Sequence, residues 1–186
     1  MKPYVAVALT LLAGCSTAKI ERVYIGTNRS KGIYYADFNS ETGKLTTPKL
    51  AIETTDPGFL VVHPSGEYLY ATGPSAFRIN ADGTLEELNR PAVDGKGSCH
   101  VSLDEKGQCL MTAFYGSGEV ASFRILEDGS LSEAASLHQH EGSGEDPKRQ
   151  TAPHAHSIFP SPNDAYAYAP DLGIDKVMIY KLNPET

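Results

Sequence analysis

The sequence predicts an all-β protein built as a β-propeller, with two full four-stranded blades and two incomplete ones. Three observations predict it. Three stretches repeat one plan of apolar strand, turn, alternating strand, polar loop, strand and acidic-glycine turn; the turn residues recur at matching places; and helical periodicity is absent throughout.

Taken in order, Lys2 precedes an apolar run from Val5 to Leu12, too short to cross a bilayer as a helix but suited to the hydrophobic region of a secretory signal. The run ends in Leu12-Ala13-Gly14-Cys15, which resembles a bacterial lipobox. Residues 1–15 are therefore expected to be a lipoprotein-type signal peptide, with Cys15 the lipidated first residue of the mature chain. Ser16 after Cys15 fits the Gram-negative pattern for the outer membrane, so the expected location is the cell envelope, facing the periplasm. Residues 16–21 read as a short linker and 22–186 as the propeller.

Turn chemistry marks the register of the copies. Pro64-Ser65-Gly66, Glu105-Lys106-Gly107 and Pro162-Asn163-Asp164 are each followed by a strand: Tyr68-Leu69-Tyr70-Ala71, Cys109-Leu110-Met111-Thr112 and Tyr166-Ala167-Tyr168-Ala169. The next strands align as Ala76–Ile79, Ser122–Ile125 and Met178–Leu182. Asp82-Gly83 and Asp128-Gly129 close tight hairpins, with Thr42-Gly43 in the same slot of an earlier copy. That first copy begins at Val23-Tyr24-Ile25-Gly26, a second strand, and so is expected to lack an innermost one. The last copy stops at Asn183-Pro184-Glu185-Thr186 before an outer strand. Unpaired strand edges of this kind favour self-association.

Composition narrows the function. Hydrophobic residues at 40% and charged residues at 21% of 186 suit a globular protein with one sizeable core. A net charge of -7 with scattered Lys and Arg argues against nucleic acid as a partner. If Asp104 to Gly107 is the hairpin turn, Cys109 faces Ser102 and Cys99 lies on the opposite face, so no intrachain disulfide is expected.

Propeller topology sorts the loops by face. The tight Ser-Gly, Lys-Gly and Asp-Gly turns fall at the bottom, with His63. The longer polar loops, 27–31, 94–100, 115–118, 137–156 and 171–176, fall on top, where a rigid scaffold would hold functional residues. Pro153-His154-Ala155-His156-Ser157 lies there with Arg149, and Tyr115 comes from the preceding blade. His100 and His156 each begin an innermost strand, five residues before Glu105 and six before Pro162, an offset that a β-bulge absorbs. Both are expected to point into the channel mouth.

The histidine pair admits three readings: a general base with a guanidinium as electrophilic partner, loop-ordering hydrogen bonds, or two ligands of a metal ion. No third ligand is spaced to complete a metal site. His138 and His140 read as solvated strand-end residues, and Asp171 and Asp175, flanking Gly173, as solvated turn carboxylates. Tyr115-Gly116-Ser117-Gly118 reads as a flexible hairpin loop. No GxSxG elbow, P-loop or paired-cysteine zinc motif is present.

The combination of Val23-Tyr24-Ile25-Gly26-Thr27, Gly32-Ile33-Tyr34, Glu41-Thr42-Gly43-Lys44-Leu45, Cys99-His100, Gln139-His140-Glu141-Gly142-Ser143-Gly144 and Pro153-His154-Ala155-His156-Ser157 resembles the seven-bladed propeller lactonases. That family includes the propeller-type 6-phosphogluconolactonases and the fungal carboxymuconate cyclases. The resemblance implies about half of a seven-bladed ring, since the family's chains are longer and residues of their second half complete the pocket. It implies hydrolysis of a sugar lactone as the small-molecule substrate, 6-phosphogluconolactone or an unphosphorylated aldonolactone, with no cofactor. It carries a catalytic role onto His156, with His154 beside it and Arg149 as an anion contact; His100 and Tyr115 become substrate-binding residues. A phosphorylated lactone is made in the cytoplasm and crosses membranes poorly, so an exported protein is better matched to the unphosphorylated substrate. Two alternatives remain open: a non-catalytic, lipid-anchored propeller that binds a ligand or partner, and a muconate-type cyclase. Membrane contact is expected only through Cys15.

Overall fold

The computed structural model describes residues 7–9 and 20–184. Cys15 and its lipobox lie outside the described residues. Among those described there is no helix; the strands form four antiparallel sheets. The first holds β1 (Val7–Leu9), β2 (Ile20–Ile25), β3 (Gly32–Asn39), β4 (Lys44–Leu45) and β5 (Lys49–Glu53), where β4 and β5 both pair with β3. The second runs β6 (Leu60–Val62), β7 (Tyr68–Ala71), β8 (Ser75–Ile79), β9 (Leu85–Asn89). The third runs β10 (Ser98–Leu103), β11 (Cys109–Phe114), β12 (Glu119–Ile125), β13 (Leu131–Gln139), and the fourth β14 (Phe159–Pro160), β15 (Tyr166–Asp171), β16 (Lys176–Lys181).

The first strands of successive sheets, β1, β6, β10 and β14, contact one another in that order, as the inner strands of propeller blades do. The first copy thus departs from expectation: Val7–Leu9 fills its inner position, with Val7 opposite Ile25 and Leu9 opposite Val23. An apolar segment laid there pairs a β2 edge that would otherwise present bare N–H and C=O groups. These three residues belong to the run read as a signal, and processing at Cys15 would remove them and leave the β2 edge open, as the sequence reading expects of the mature chain.

The bottom turns close as their residues require. Gly66, Gly107 and Asp164 donate their N–H to the carbonyls of His63, Asp104 and Ser161, at 2.8, 3.1 and 2.9 Å. In the acidic-glycine hairpins, Asp82 and Asp128 accept from the N–H of Thr84 and Ser130 at 2.9 and 3.0 Å, the side-chain bond that makes Asp a turn former. One register differs from the expected one. The Asp104 carboxylate takes the N–H groups of both Gln108 and Cys109 at 2.7 Å, which lengthens the turn and places Cys109 opposite Asp104, with Ser102 opposite Met111. Cys99 and Cys109 are both free thiols. Burial, with Asp104 nearby, pushes the Cys109 thiol up to about 12.

Strand alternation builds three cores between four blades. Leu69 and Ala71 on β7 face back to Tyr24, Ile33 and Ala51, whereas Tyr70 between them faces forward to Val101, Leu110 and Phe114. On β11, Leu110 and Phe114 join that second core, while Cys109, Met111 and Ala113 form the third with Ile158, Ala167 and Ala169. Every residue of β11 is consequently buried, although its sequence has the period of a strand. A repeated staple crosses the interfaces. Tyr24 donates its hydroxyl to the Gly83 carbonyl at 3.1 Å, and Tyr70 donates to Gly129 at 3.0 Å, each bonding the hairpin of the next blade. Burial raises both phenols above their ordinary range, so both stay protonated donors.

Candidate active site

Three connections meet at the top of the third and fourth blades: residues 115–118 between β11 and β12, residues 140–158 between β13 and β14, and residues 172–175 between β15 and β16. Two glycines let them approach. A Cβ on Gly118, whose φ is +77°, would fall 2.5 Å from the Pro153 Cβ, and one on Gly173 would fall 1.9 Å from the Ala152 carbonyl oxygen. Gln150, buried in the long connection, ties it down. Its carbonyl side accepts from Asp146 N–H at 2.8 Å, and its amide donates to the Leu172 carbonyl at 2.8 Å and the Asp175 carboxylate at 2.5 Å.

Tyr115 is the hub of the predicted site. Its carbonyl accepts from His154 Nδ1–H at 2.7 Å, its ring stacks on the His154 ring with centroids 4.6 Å apart, and its hydroxyl accepts from the Arg149 guanidinium at 3.4 Å. The exposed His156 ring meets it edge-on at 5.5 Å. A carbonyl can only accept, so Nδ1 of His154 carries a proton in this bond. His156 and Arg149 line an open groove of about 510 Å³ together with Asp171, Asp175 and Lys176. His154, His156, Arg149 and Tyr115, the residues singled out in sequence, therefore do come together, and the Tyr115 loop is a structured hub.

His100 belongs elsewhere, contrary to the expectation that it opens into the channel mouth. It is only 5% exposed, held between Phe59 and Phe159 with ring centroids 4.4 Å from each, and its Nδ1 accepts from Ile158 N–H at 3.3 Å. The anticipated bulge is present, between Ser98 and His100. Strand alternation on the far side of it turns the imidazole into the interface between blades. Burial, and secondarily the positive charge that His156 can carry, lowers the His100 pKa to about 4.

His140 and Asp171 also depart from expectation, because neither is solvated. Both side chains are 0% exposed, and His140 Nδ1 meets Asp171 Oδ2 at 2.6 Å. His140 Nε2 meets the Tyr180 hydroxyl at 2.7 Å. The other Asp171 oxygen accepts from the N–H groups of His154 and Gly173, each at 2.8 Å. A signal for Asp171 exists in the sequence: it continues the inward-facing set Ala167, Ala169 along β15. His138, in contrast, is exposed and stacks on Tyr180 at 5.0 Å.

A second cavity, about 200 Å³, lies between the third and fourth blades against Met111, Phe123 and Ile158 and includes neither Arg149 nor His156. The cavity also holds an imidazole and two cations, His138 with Arg124 and Lys181, but the groove is the better candidate because its Arg149 and His156 are tied together through Tyr115. Among the described residues, no group of three or more His, Cys, Asp or Glu is placed to hold a metal ion.

Known proteins agree with this architecture. Residues 11–186 match the family described as lactonase, seven-bladed β-propeller. The 6-phosphogluconolactonase of Bacillus subtilis is 38% identical over 86% of this chain and 48% of its own. The periplasmic gluconolactonase of Pseudomonas aeruginosa superposes with a TM-score of 0.82 at 28% identity, covering 88% of this chain and 50% of that one. A protein from Lactobacillus plantarum gives a TM-score of 0.81 at 28% identity, covering 89% of this chain and 50% of that one. The chain spans about half the length of the curated relatives it matches. With the matched profile running over nearly all of its residues, the chain belongs to the seven-bladed β-propeller lactonase family.

Proposed function

We propose that the site hydrolyses a sugar lactone with water activated by His156, beside Arg149 and Lys176. The observation that carries this is Tyr115, which bonds Arg149 and packs against both histidines at the edge of one groove. His156 takes a proton from water as the oxygen attacks the lactone carbonyl carbon. The carbonyl oxygen gains the charge, opposite the Arg149 guanidinium. Collapse breaks the bond to the ring oxygen, which takes the proton back from the imidazolium and leaves as the hydroxyl of an aldonic acid. One water is consumed, and no redox step or cofactor is needed. An unphosphorylated aldonolactone is the substrate favoured by the expected export, and likeness to a periplasmic gluconolactonase supports it. Lys176 and Arg149 would also accept a phosphorylated lactone.

In the full-length protein, His156→Ala should lower turnover of gluconolactone by about a hundredfold, the scale of general-base catalysis, and Arg149→Ala should weaken it as well. Turnover unchanged by His156→Ala would remove that residue from the reaction; tight binding without turnover in the unaltered protein would favour a binding propeller instead. Anchoring at Cys15 in the outer membrane, facing the periplasm, belongs to the same proposal and rests on the order Lys2, apolar run, Leu12-Ala13-Gly14-Cys15. Metabolic palmitate labelling that survives Cys15→Ser would refute it.

A further inference from the structure

Beside the groove lies a chain of three bonded polar side chains that the proposed reaction does not use: half-buried Tyr180 on β16, and the fully buried side chains of His140, just after β13, and Asp171, at the end of β15. They come from two blades and meet where the His154–His156 segment crosses β15. We infer that Asp171, His140 and Tyr180 are positioning residues, which hold the histidine-bearing segment in register with the groove. The inference rests on the lactonase reading above.

Three observations carry it. First, Asp171 divides its two oxygens between tasks: Oδ2 takes His140, and Oδ1 takes the backbone N–H of His154 and of Gly173. The carboxylate therefore grips the backbone of one site histidine directly. Second, the grip is reinforced at the next residues, because Ala155 bridges Asp171 in antiparallel fashion, His156 N–H donates to the Pro170 carbonyl at 3.0 Å, and Leu172 N–H donates to the His154 carbonyl at 3.1 Å. The segment is pinned on one side by the Asp171 turn and on the other by Tyr115, whose carbonyl holds the His154 ring. Third, both ring nitrogens of His140 are engaged: a carboxylate accepts, so Nδ1–H donates to Asp171, and Nε2 bonds the Tyr180 hydroxyl at 2.7 Å. With one bond on each ring nitrogen, His140 cannot rotate without breaking both.

The alternative is a core polar cluster that merely stabilises the fold. Its members could then sit anywhere in the interface, whereas here the chain ends on Asp171, which bonds the backbone N–H of His154 directly. Buried carboxylates gain most where backbone donors and a second side chain are satisfied together. Displacement of a catalytic group by about 1 Å is enough to cost up to a hundredfold in rate, so a register device is worth its buried charge.

The test uses the full-length protein and three variants: Tyr180→Phe, which removes only a hydroxyl; His140→Leu, which removes both bonds; and His140→Asn, whose amide N–H lies near the Nδ1 position and can still serve Asp171. His140→Leu should lower kcat for gluconolactone about tenfold or more, with KM changed less than about threefold, and His140→Asn should recover a substantial part. Histidine ¹H–¹³C spectra should show His154 resonances displaced in His140→Leu and less so in Tyr180→Phe, while His63 at the bottom face stays put. If His140→Leu fails to fold, Tyr180→Phe alone decides, through the same spectra and kcat. Unmoved His154 resonances with kcat within about twofold of the unaltered protein would overturn the inference. Should His156→Ala leave turnover unchanged, the reaction is wrong, while displacement of His154 still reports whether the three residues position the segment.

Discussion

His100 shows how one residue can be right in place and wrong in role. Its position at the start of an inner strand was legible from spacing, but its burial came from a bulge whose direction no spacing reveals. The consequence is a pH dependence of stability. The neutral groups Phe59 and Phe159 enclose the ring, and the ionisable group that bears on it is His156. With a folded pKa of about 4 against an ordinary 6.5, the unfolded chain binds the proton more readily. Stability from this residue is therefore complete above pH 6.5 and is lost as pH falls toward 4, by about 3 kcal/mol in all. Urea titrations from pH 7 to 4 should show that loss in the unaltered chain and not in His100→Asn, which keeps an acceptor for Ile158 N–H but never charges; parallel pH profiles would refute it. His140 was harder to read than His100, since its environment is supplied by Asp171 and Tyr180 from another blade.

At the scale of strands and turns, almost everything was legible, because local chemistry decides it. Alternation predicted the second and third strands of the blades, and Asp-Gly pairs predicted the hairpins that Thr84 and Ser130 close. Elements failed where a partner outside the segment intervened, as when Asp104 captured two N–H groups and moved Cys109 by two positions, or when Val7–Leu9 occupied the free edge of β2. The same reasoning explains why the tyrosine staple escaped notice: its acceptor lies 59 residues away in both copies. Tyr70→Phe keeps the packing and leaves the buried Gly129 carbonyl without its donor. It should cost about 1–2 kcal/mol of unfolding free energy by urea titration. Tyr34→Phe, which loses a bond to exposed Ser30, should cost less than about 0.5 kcal/mol. Equal costs would mean that the staple contributes nothing beyond ring burial.

Over the whole molecule, the cores repeat from blade to blade until the fourth, where the pattern lies open; the tyrosine staple crosses the first two interfaces, with Met111 standing at the Tyr70 position of the third blade. Tyr168 aligns with Tyr70 in the repeat, yet it is 37% exposed, and beside it Val177 and Ile179 are 56% and 62% exposed. Phe159 and Tyr166, each 48% exposed, extend the same apolar region. Among the described residues, β16 also has no strand paired to its outer edge. In each earlier blade this face is covered by the next sheet, whose residues supply half of a core. A polypeptide of these 186 residues has one surface of matching construction available in solution, a blade of a second copy, so the 186-residue chain should self-associate through this face. Ile179→Glu places a charge at the centre of the patch, opposite Tyr168 on β15, without entering any of the three cores. Sedimentation over a range of concentrations should show mass rising in the unaltered chain and a shift toward monomer in Ile179→Glu. Because the site groove lies at the top of this same fourth blade, association should also slow hydrogen exchange along β15 and β16 while leaving β2 and β3 unchanged. A monodisperse monomer at every concentration would show that the open face is stable in water, and that the repeat does not need a following blade to protect it.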